Sequence, residues 1–402
     1  MTTAGAADFL VIGGGIIGVT IGLEVKRRHP TAAVTLIEKE RDCGVHASKH
    51  NSGVLHAGFY HAADSLKARF TKEGNRALTA YCAQRGLRIN RCGKLVVARN
   101  EEELPALDEL MRRARAHGVE LERLSAEEAR MIEPRVRTHE RALFSPTSSS
   151  VDPVEVMDAL VTDARAQGIT IQTSTAYLRA EPGGVRTTTG RLAAGYVINA
   201  AGLHADRIAR DYGFGERYRI LPFKGLYLYG NGACLPPRTH VYPAPDLRRP
   251  FLGVHFTVTV AGNAKIGPTA IPGLWREHYR GFANFNLREC AEIIACQAGL
   301  FVSNDFDFRS LAWSELRKYS RRRIVRLAAE LVAGTRLAEY PEWGHAGIRA
   351  QLFDVKTRML EMDFRCEGDD RSFHVLNAVS PGFTCAMPFA AHVSDQIERL
   401  IA

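Results

Sequence analysis

The chain has 402 residues, 46% hydrophobic and 24% charged, with a formal net charge of +9. That length predicts two lobes, and the balance of apolar and charged residues excludes a disordered chain. No apolar run reaches the roughly 18 residues of a bilayer-spanning helix, and the basic residues are mostly dispersed, without a nucleic-acid motif.

The first residues lack the positive start and apolar stretch of a signal peptide. The eight cysteines form no CxxC pair and read as reduced thiols, so a cytoplasmic protein is expected. In chain order, F-L-V-I-G-G-G-I-I-G (9–18) is a buried strand turning into glycines, and 19–26 reads as a helix. A second strand, 33–39, ends in Glu38 and Lys39. Gly13, Gly15 and Gly18 fit G-x-G-x-x-G, with Ile16 and Ile17 opening the helix. In such a unit Gly13 permits the tight turn, Gly15 lets a pyrophosphate approach, and Gly18 lets helix and strand pack. Glu38 stands where an acid binds a ribose hydroxyl. Dinucleotide binding follows.

The chain does not continue in regular β-α units, as a nicotinamide dehydrogenase would. It runs into small and polar residues at 43–53 and then a basic helix, 65–78. H-N-S-G-V-L-H-A-G-F-Y-H (50–61) carries three histidines, but their spacing is not helical and no carboxylate or cysteine completes a metal set. No metal is expected. Residues 101–119 read as a cap or edge helix, 195–206 as a strand leading into a helix, 220–270 as a mostly antiparallel sheet and 275–340 as helical. A last strand, 373–379, meets a Pro-Gly turn before the C-terminal helix. A cofactor domain assembled from separated segments suits a flavoprotein.

Gly13–Gly18, Glu38–Lys39, N-A-A-G (199–202) and S-P-G-F-T (380–384) resemble the FAD-dependent D-amino-acid oxidase/glycine oxidase superfamily. H-N-S-G-V-L-H-A-G (50–58), L-P-F-K-G-L-Y (221–227), F-L-G-V-H-F-T (251–257), R-K-Y-S (317–320) and G-I-R-A-Q-L (347–352) are most similar to its L-2-hydroxyglutarate dehydrogenase/oxidase group. Lys49, Lys224, Leu226, Thr269 and S-S-S-V-D (148–152) depart from the group's pattern. The resemblance implies an α/β (α+β) fold, with a Rossmann-like FAD-binding domain and a mostly antiparallel-sheet substrate domain interleaved in sequence. Residues 1–90, 150–222 and 340–402 would form the first, and 91–149 and 223–339 the substrate-binding or cap domain. FAD contacts are expected from the Gly13–Gly18 turn, Glu38, Lys39, His50, Asn51, Ser52, Gly53, Ala176, Ala200, Gly202, Pro381, Gly382, Phe383 and Thr384.

Oxidising a 2-hydroxy acid needs a carboxylate anchor and a proton acceptor. Arginine supplies a bidentate fork, and Arg349, expected in a short glycine-flanked turn, is the candidate. Histidine titrates near neutrality, so His56 and His255 are the candidate acceptors; a core histidine bonded to backbone is the competing reading of each. Lys224 is a candidate second carboxylate or flavin-carbonyl contact.

The expected reaction is oxidation of an L-2-hydroxy (di)carboxylic acid to the 2-oxo acid, with reoxidation by quinone, another acceptor or oxygen. Oxidation of a C–N bond in an amino acid or amine is the alternative, and a non-enzymatic flavin module the third reading. The positive charge favours a small anionic substrate. The basic segment 317–332 reads either as a solvated helix face or as a peripheral contact with an anionic inner-membrane surface.

Overall fold

A computed structural model describes residues 6–62, 64–247 and 251–402. The chain divides into two units, residues 1–51, 153–221 and 349–402 in the first and 52–152 and 222–348 in the second. Residues 52–90, expected in the FAD-binding domain, belong to the second unit. Backbone pairing accounts for this: Val54–Leu55 and Ile89–Asn90 both pair with Ser149–Val151 of that unit.

In the first unit the apolar run Ala7–Ile12 is an interior strand, and apolar residues fall on both of its faces because both are covered. The parallel strands run in the order Ser372–Asn377, Gly190–Asn199, Ala7–Ile12, Val34–Ile37, Thr170–Gln172. Antiparallel strands Gly184–Thr187 and Tyr177–Glu181 extend from Gly190–Asn199, and Arg365–Gly368 pairs with Ser372–Asn377. Helix Ile16–Arg28 packs against Pro153–Ala166 and Gly382–Ile401. The Thr20 hydroxyl, which donates to the Ile16 carbonyl at 2.8 Å, also lies 3.2 Å from the Ala386 carbonyl, where the first and last of these helices meet.

The second unit is built on an eight-stranded sheet. Its order is Glu342–Trp343, Leu228–Tyr229, Ala264–Gly267, His255–Val258, His240–Pro243, Lys94–Val97, Arg141–Ser145, Glu122–Ser125. All neighbours are antiparallel except His240–Pro243 with Lys94–Val97. Alternation along each strand gives the sheet two faces. Leu95, Val97, Val241, Phe256, Ala264, Ile266 and Leu228 pack with Ile324, Val325 and Ala328 of helix Arg321–Ala329 in one apolar core. On the other face Val96 and Leu143 join a second apolar cluster, while the middle strands carry polar residues: His240 pairs with Lys94, and Thr257 with Lys265. Helices Leu287–Ser303 and Phe308–Leu316 complete the helical stretch expected over 275–340.

The apolar half of 317–332 is therefore committed inward. Ile324, Val325, Ala328, Leu331 and Val332 are buried, while Arg317, Arg322 and Arg326 are exposed. The apolar stripe visible in that sequence belongs to the core. Ile324 is fully buried under the sheet, so Ile324→Ala removes packing that the core cannot fully refill. The expected cost is about 2–5 kcal/mol, read as a lower denaturant midpoint at unchanged m-value.

Candidate functional site

In the first unit the end of Ala7–Ile12 passes directly into helix Ile16–Arg28, with Gly15 as its N-cap. Gly13 has φ +111°, and a Cβ there would lie 2.5 Å from the Ala200 carbonyl oxygen. A Cβ on Gly18 would lie 1.9 Å from the Gly13 carbonyl oxygen. Both positions therefore exclude a side chain. The helix leaves its first N–H groups without partners inside the helix, where the macrodipole favours an anion. Of these, the Ile16 N–H donates to Ser48 Oγ at 2.9 Å, and Ile17 shares the same first turn.

Glu38 follows strand Val34–Ile37 and is buried. It accepts from the Gly14 N–H at 2.7 Å and from the Glu40 N–H at 2.9 Å, which fixes its carboxylate beside the glycine turn. Lys39 pairs with Glu40. Thr175 N–H donates to the Glu38 carbonyl at 2.8 Å, so neighbouring Ala176 lies at the same strand end, closed into a turn with Thr188. Ala200 N–H donates to the Ile12 carbonyl, and Gly202 opens a short 3-10 turn at φ +54°. Asn199, fully buried, donates to the Ala205 carbonyl at 2.8 Å and fixes that turn. Pro381 caps the helix whose first residues are Gly382, Phe383 and Thr384, a second helix start just beyond a parallel strand.

Thus the glycine turn, Glu38, Ala176 and Ala200 gather at the C-terminal ends of parallel strands, where dinucleotides bind open α/β sheets. The absence of room for Cβ at Gly13 and Gly18 and the buried carboxylate of Glu38 fit a dinucleotide cofactor. His50 and Asn51 end the unit's first segment. Asn51 Nδ2 donates to the Ser48 carbonyl at 2.7 Å and braces that turn. Ser52 and Gly53 fall in the second unit, where Ser52 Oγ accepts from the Val54 N–H and the Gly53 carbonyl from the Val151 N–H. The small-residue loop 50–53 is therefore divided between two frameworks.

Arg349 corrects a sequence expectation. It lies within strand Gly347–Asp354, not in a glycine-flanked turn, because Ile348 and Leu352 alternate into buried positions and draw the segment into sheet. Arg349 itself is half-buried and in the first unit.

In the second unit the polar face brings the two candidate histidines into one neighbourhood. His56 follows strand Val54–Leu55, and its backbone is pinned by Asn75, which donates to the Leu55, His56 and Thr147 carbonyls at 3.1–3.2 Å. His56 Nδ1 lies 3.3 Å from the Nζ of Lys94. Lys94 is fully buried, and its Nζ sits 4.4 Å from the Tyr242 ring centroid. Tyr242 stacks on His255 at 3.7 Å between centroids. The His255 Nδ1 lies 2.8 Å from the Gly253 carbonyl, which can only accept, so Nδ1 carries a proton. That backbone bond is the feature the competing, core-histidine reading of His255 expects.

His240, on the same face, behaves differently. Its Nδ1 accepts from the Val258 N–H at 3.0 Å, so Nε2 carries the proton, facing Ser150 Oγ at 3.3 Å. It is a core histidine that holds two strands. Lys224 is buried, and its carbonyl accepts from the Thr269 hydroxyl at 2.8 Å, so the departure at 269 serves the backbone of the departure at 224.

Burial sets the electrostatics. It pulls the Lys94 ammonium down to about 7 and Lys265 to about 8, and lowers Lys224. Burial, aided by the Lys94 charge, holds His56 well below the ordinary histidine range. Lys265 Nζ also sits 4.9 Å from the Tyr227 ring centroid. Lys94, Lys265 and Tyr242 went unremarked in the sequence. Their signal was present: lysine at alternating positions of strands with apolar neighbours is out of place unless the face has a polar task.

The family model described as FAD dependent oxidoreductase matches residues 8–396. The L-2-hydroxyglutarate dehydrogenase of Escherichia coli (strain UMN026) is 34% identical over 406 residues, covering 98% of this chain and 94% of that protein. The mitochondrial L-2-hydroxyglutarate dehydrogenase of Homo sapiens is 31% identical over 415 residues, covering 98% and 89%. Among solved structures, the dithionite-reduced L-α-glycerophosphate oxidase of Mycoplasma pneumoniae with FAD bound superposes with a TM-score of 0.78 at 23% identity, covering 98% of this chain and 95% of its own. Glycine oxidase from Geobacillus kaustophilus gives 0.74 at 21%, with the same coverage. At those identities the structures establish the fold.

Gly18→Ala tests the glycine turn. The added methyl collides with the Gly13 carbonyl, and the turn must open. The variant is expected to purify with less flavin, its Kd for FAD raised about 100-fold, or about 2.7 kcal/mol. A full complement of FAD at unchanged Kd would remove the assignment.

Proposed function

The chain belongs to the FAD-dependent oxidoreductase family, and from that premise we propose that it oxidises an L-2-hydroxy dicarboxylic acid, such as L-2-hydroxyglutarate, to the 2-oxo acid. The observation that carries this reading is the polar face of the second unit's sheet, where buried Lys94 and Lys265 accompany two histidines. Lys265, which burial lowers only to about 8, keeps its charge near neutral pH and favours an anionic ligand, and relatives that cover nearly the whole chain carry the name L-2-hydroxyglutarate dehydrogenase.

The Gly13–Gly18 turn and the start of helix Gly382–Ile401 are assigned to the phosphates and the flavin, and Glu38 to the ribose. FAD, once bound, supplies the two-electron acceptor for the C2 hydride. Arg349 is assigned to a substrate carboxylate, which its fork orients through two parallel hydrogen bonds. His56 is assigned as acceptor of the hydroxyl proton, and the His255 Nε2 lone pair takes a hydrogen bond from the same class of hydroxyl or carboxylic group. Lys224 and Lys265 are assigned to the second carboxylate.

Anaerobic bleaching of the holoenzyme against a panel of 2-hydroxy and 2-amino acids tests the reading. L-2-hydroxyglutarate is expected to reduce the flavin faster than L-malate or L-lactate. Bleaching by amino acids alone would transfer the assignment to C–N oxidation. Arg349→Lys keeps the charge and loses the fork, so kcat/KM should fall about 10- to 100-fold, or about 1.4–2.8 kcal/mol.

For the electron acceptor we propose a quinone reached at an anionic membrane surface. A cleft of about 570 Å³ is lined by Leu316, Arg317, Ser320, Arg322, Arg323 and Arg326. Beside it in sequence, Phe301, Val302, Trp313, Leu316 and Tyr319 are all exposed. Exposed aromatics with an arginine rim suit the interface of an anionic bilayer. Among the described residues no helix is long and apolar enough to cross a membrane, so the contact would be peripheral. Co-sedimentation with phosphatidylglycerol vesicles, lost in high salt and weakened at least about fivefold in Arg322→Glu/Arg323→Glu, is the expected result. Equal binding to neutral vesicles would sink the electrostatic part.

A further inference from the structure

Lys94 has no place in the reading above beyond its charge, yet it is the group that touches His56. Its Nζ lies 3.3 Å from His56 Nδ1. Among the described residues it forms no salt bridge, and the rings of Phe59, Tyr60 and Tyr242 surround it at 4.4–5.9 Å. An ammonium can only donate, whereas a neutral amine also has a lone pair. The ammonium therefore fixes one tautomer of the imidazole, and the amine opens the other. With the ammonium, Nδ1 must accept and the ring proton moves to Nε2. With the amine, Nδ1–H can donate to Nζ, and Nε2 becomes the basic nitrogen.

We propose that Lys94 is a positioning residue for His56: as a neutral amine it accepts the Nδ1–H, leaves Nε2 as the acceptor of the substrate hydroxyl proton, and then takes the Nδ1 proton in turn. The inference rests on the assignment of His56 made above. The proton balance is closed, since the hydroxyl proton passes to His56 Nε2, the Nδ1 proton passes to Lys94 Nζ, and the hydride leaves separately to the flavin. The direction of transfer follows from burial, which holds the imidazolium well below its ordinary range and leaves the amine, at about 7, the better resting place for the proton. His61, His240 and His255 are among the other groups facing His56, and Cys92 faces Lys94. Burial sends His61 to about 3, His240 well below the usual range and Cys92 up to about 11. The His255 Nδ1 is held by the Gly253 carbonyl.

The experiment is anaerobic stopped-flow reduction of the holoenzyme by L-2-hydroxyglutarate as a function of pH. In the wild type the rate should rise with pH through about 7, as the amine loses its proton. Lys94→Gln offers a carbonyl oxygen that accepts Nδ1–H. It should keep the rate within about tenfold and lose the limb near pH 7. Lys94→Arg can only donate, and its rate should fall about 100-fold at every pH. Lys94→Arg with a wild-type rate and an intact limb would overturn the proposal. Histidine-selective 15N NMR of the wild-type holoenzyme gives a test independent of how the variants fold. His56 should carry its proton on Nδ1 at about pH 8.5 and on Nε2 at about pH 5.5, and a single tautomer throughout would overturn the proposal. His56→Gln separates the two ideas. If it reduces flavin at the wild-type rate, the His56 assignment itself fails. If it is inactive while Lys94→Arg is normal, only the role of Lys94 falls.

Discussion

An amine buried without a carboxylate beside it is expensive, and Lys94 is such a group. The unfolded chain binds its proton up to about pH 10.5, whereas the folded chain releases it near 7. Between those values stability rises with pH, and at physiological pH the fold carries a penalty. The surrounding architecture sustains the lysine: aromatic rings accept its charge, a directly paired strand carries His240, and the opposite face of the sheet holds the apolar core that stabilises the unit. The sheet is thus divided between holding the fold together and holding ionisable groups away from water.

The first unit uses backbone where the second uses side chains. Its working parts are a turn that admits no Cβ, two helix starts at strand ends, and one buried carboxylate that ties the turn to the neighbouring strand. Gly13 and Gly18 tolerate no substitution there, because the backbone of Ala200 and of Gly13 already fills the space of a Cβ.

That difference explains what could be read from sequence. Gly13, Gly15, Gly18 and Glu38 were legible because steric exclusion and a fixed strand–turn–helix spacing leave a local pattern. The buried run Ala7–Ile12 and the alternation through 220–270 gave the sheets. Lys94 and His56 are 38 residues apart, and nothing local announces their contact. The same holds for Tyr242 on His255, which depends on the register of two strands. Arg349 stands in a strand and not in a turn, since the alternation of Ile348 and Leu352 outweighs the flanking glycines. In 317–332 the helical period was visible, but not which side faced the core.

The interleaving of the two units bears on how the protein is made. The parallel sheet of the first unit begins at Ala7–Ile12, yet Ser372–Asn377 joins it only after the whole second unit has been synthesised. The helix Gly382–Ile401, which packs on Ile16–Arg28, comes later still. Contacts of such long sequence separation close slowly. The first unit therefore cannot complete its sheet until its last segment has been made.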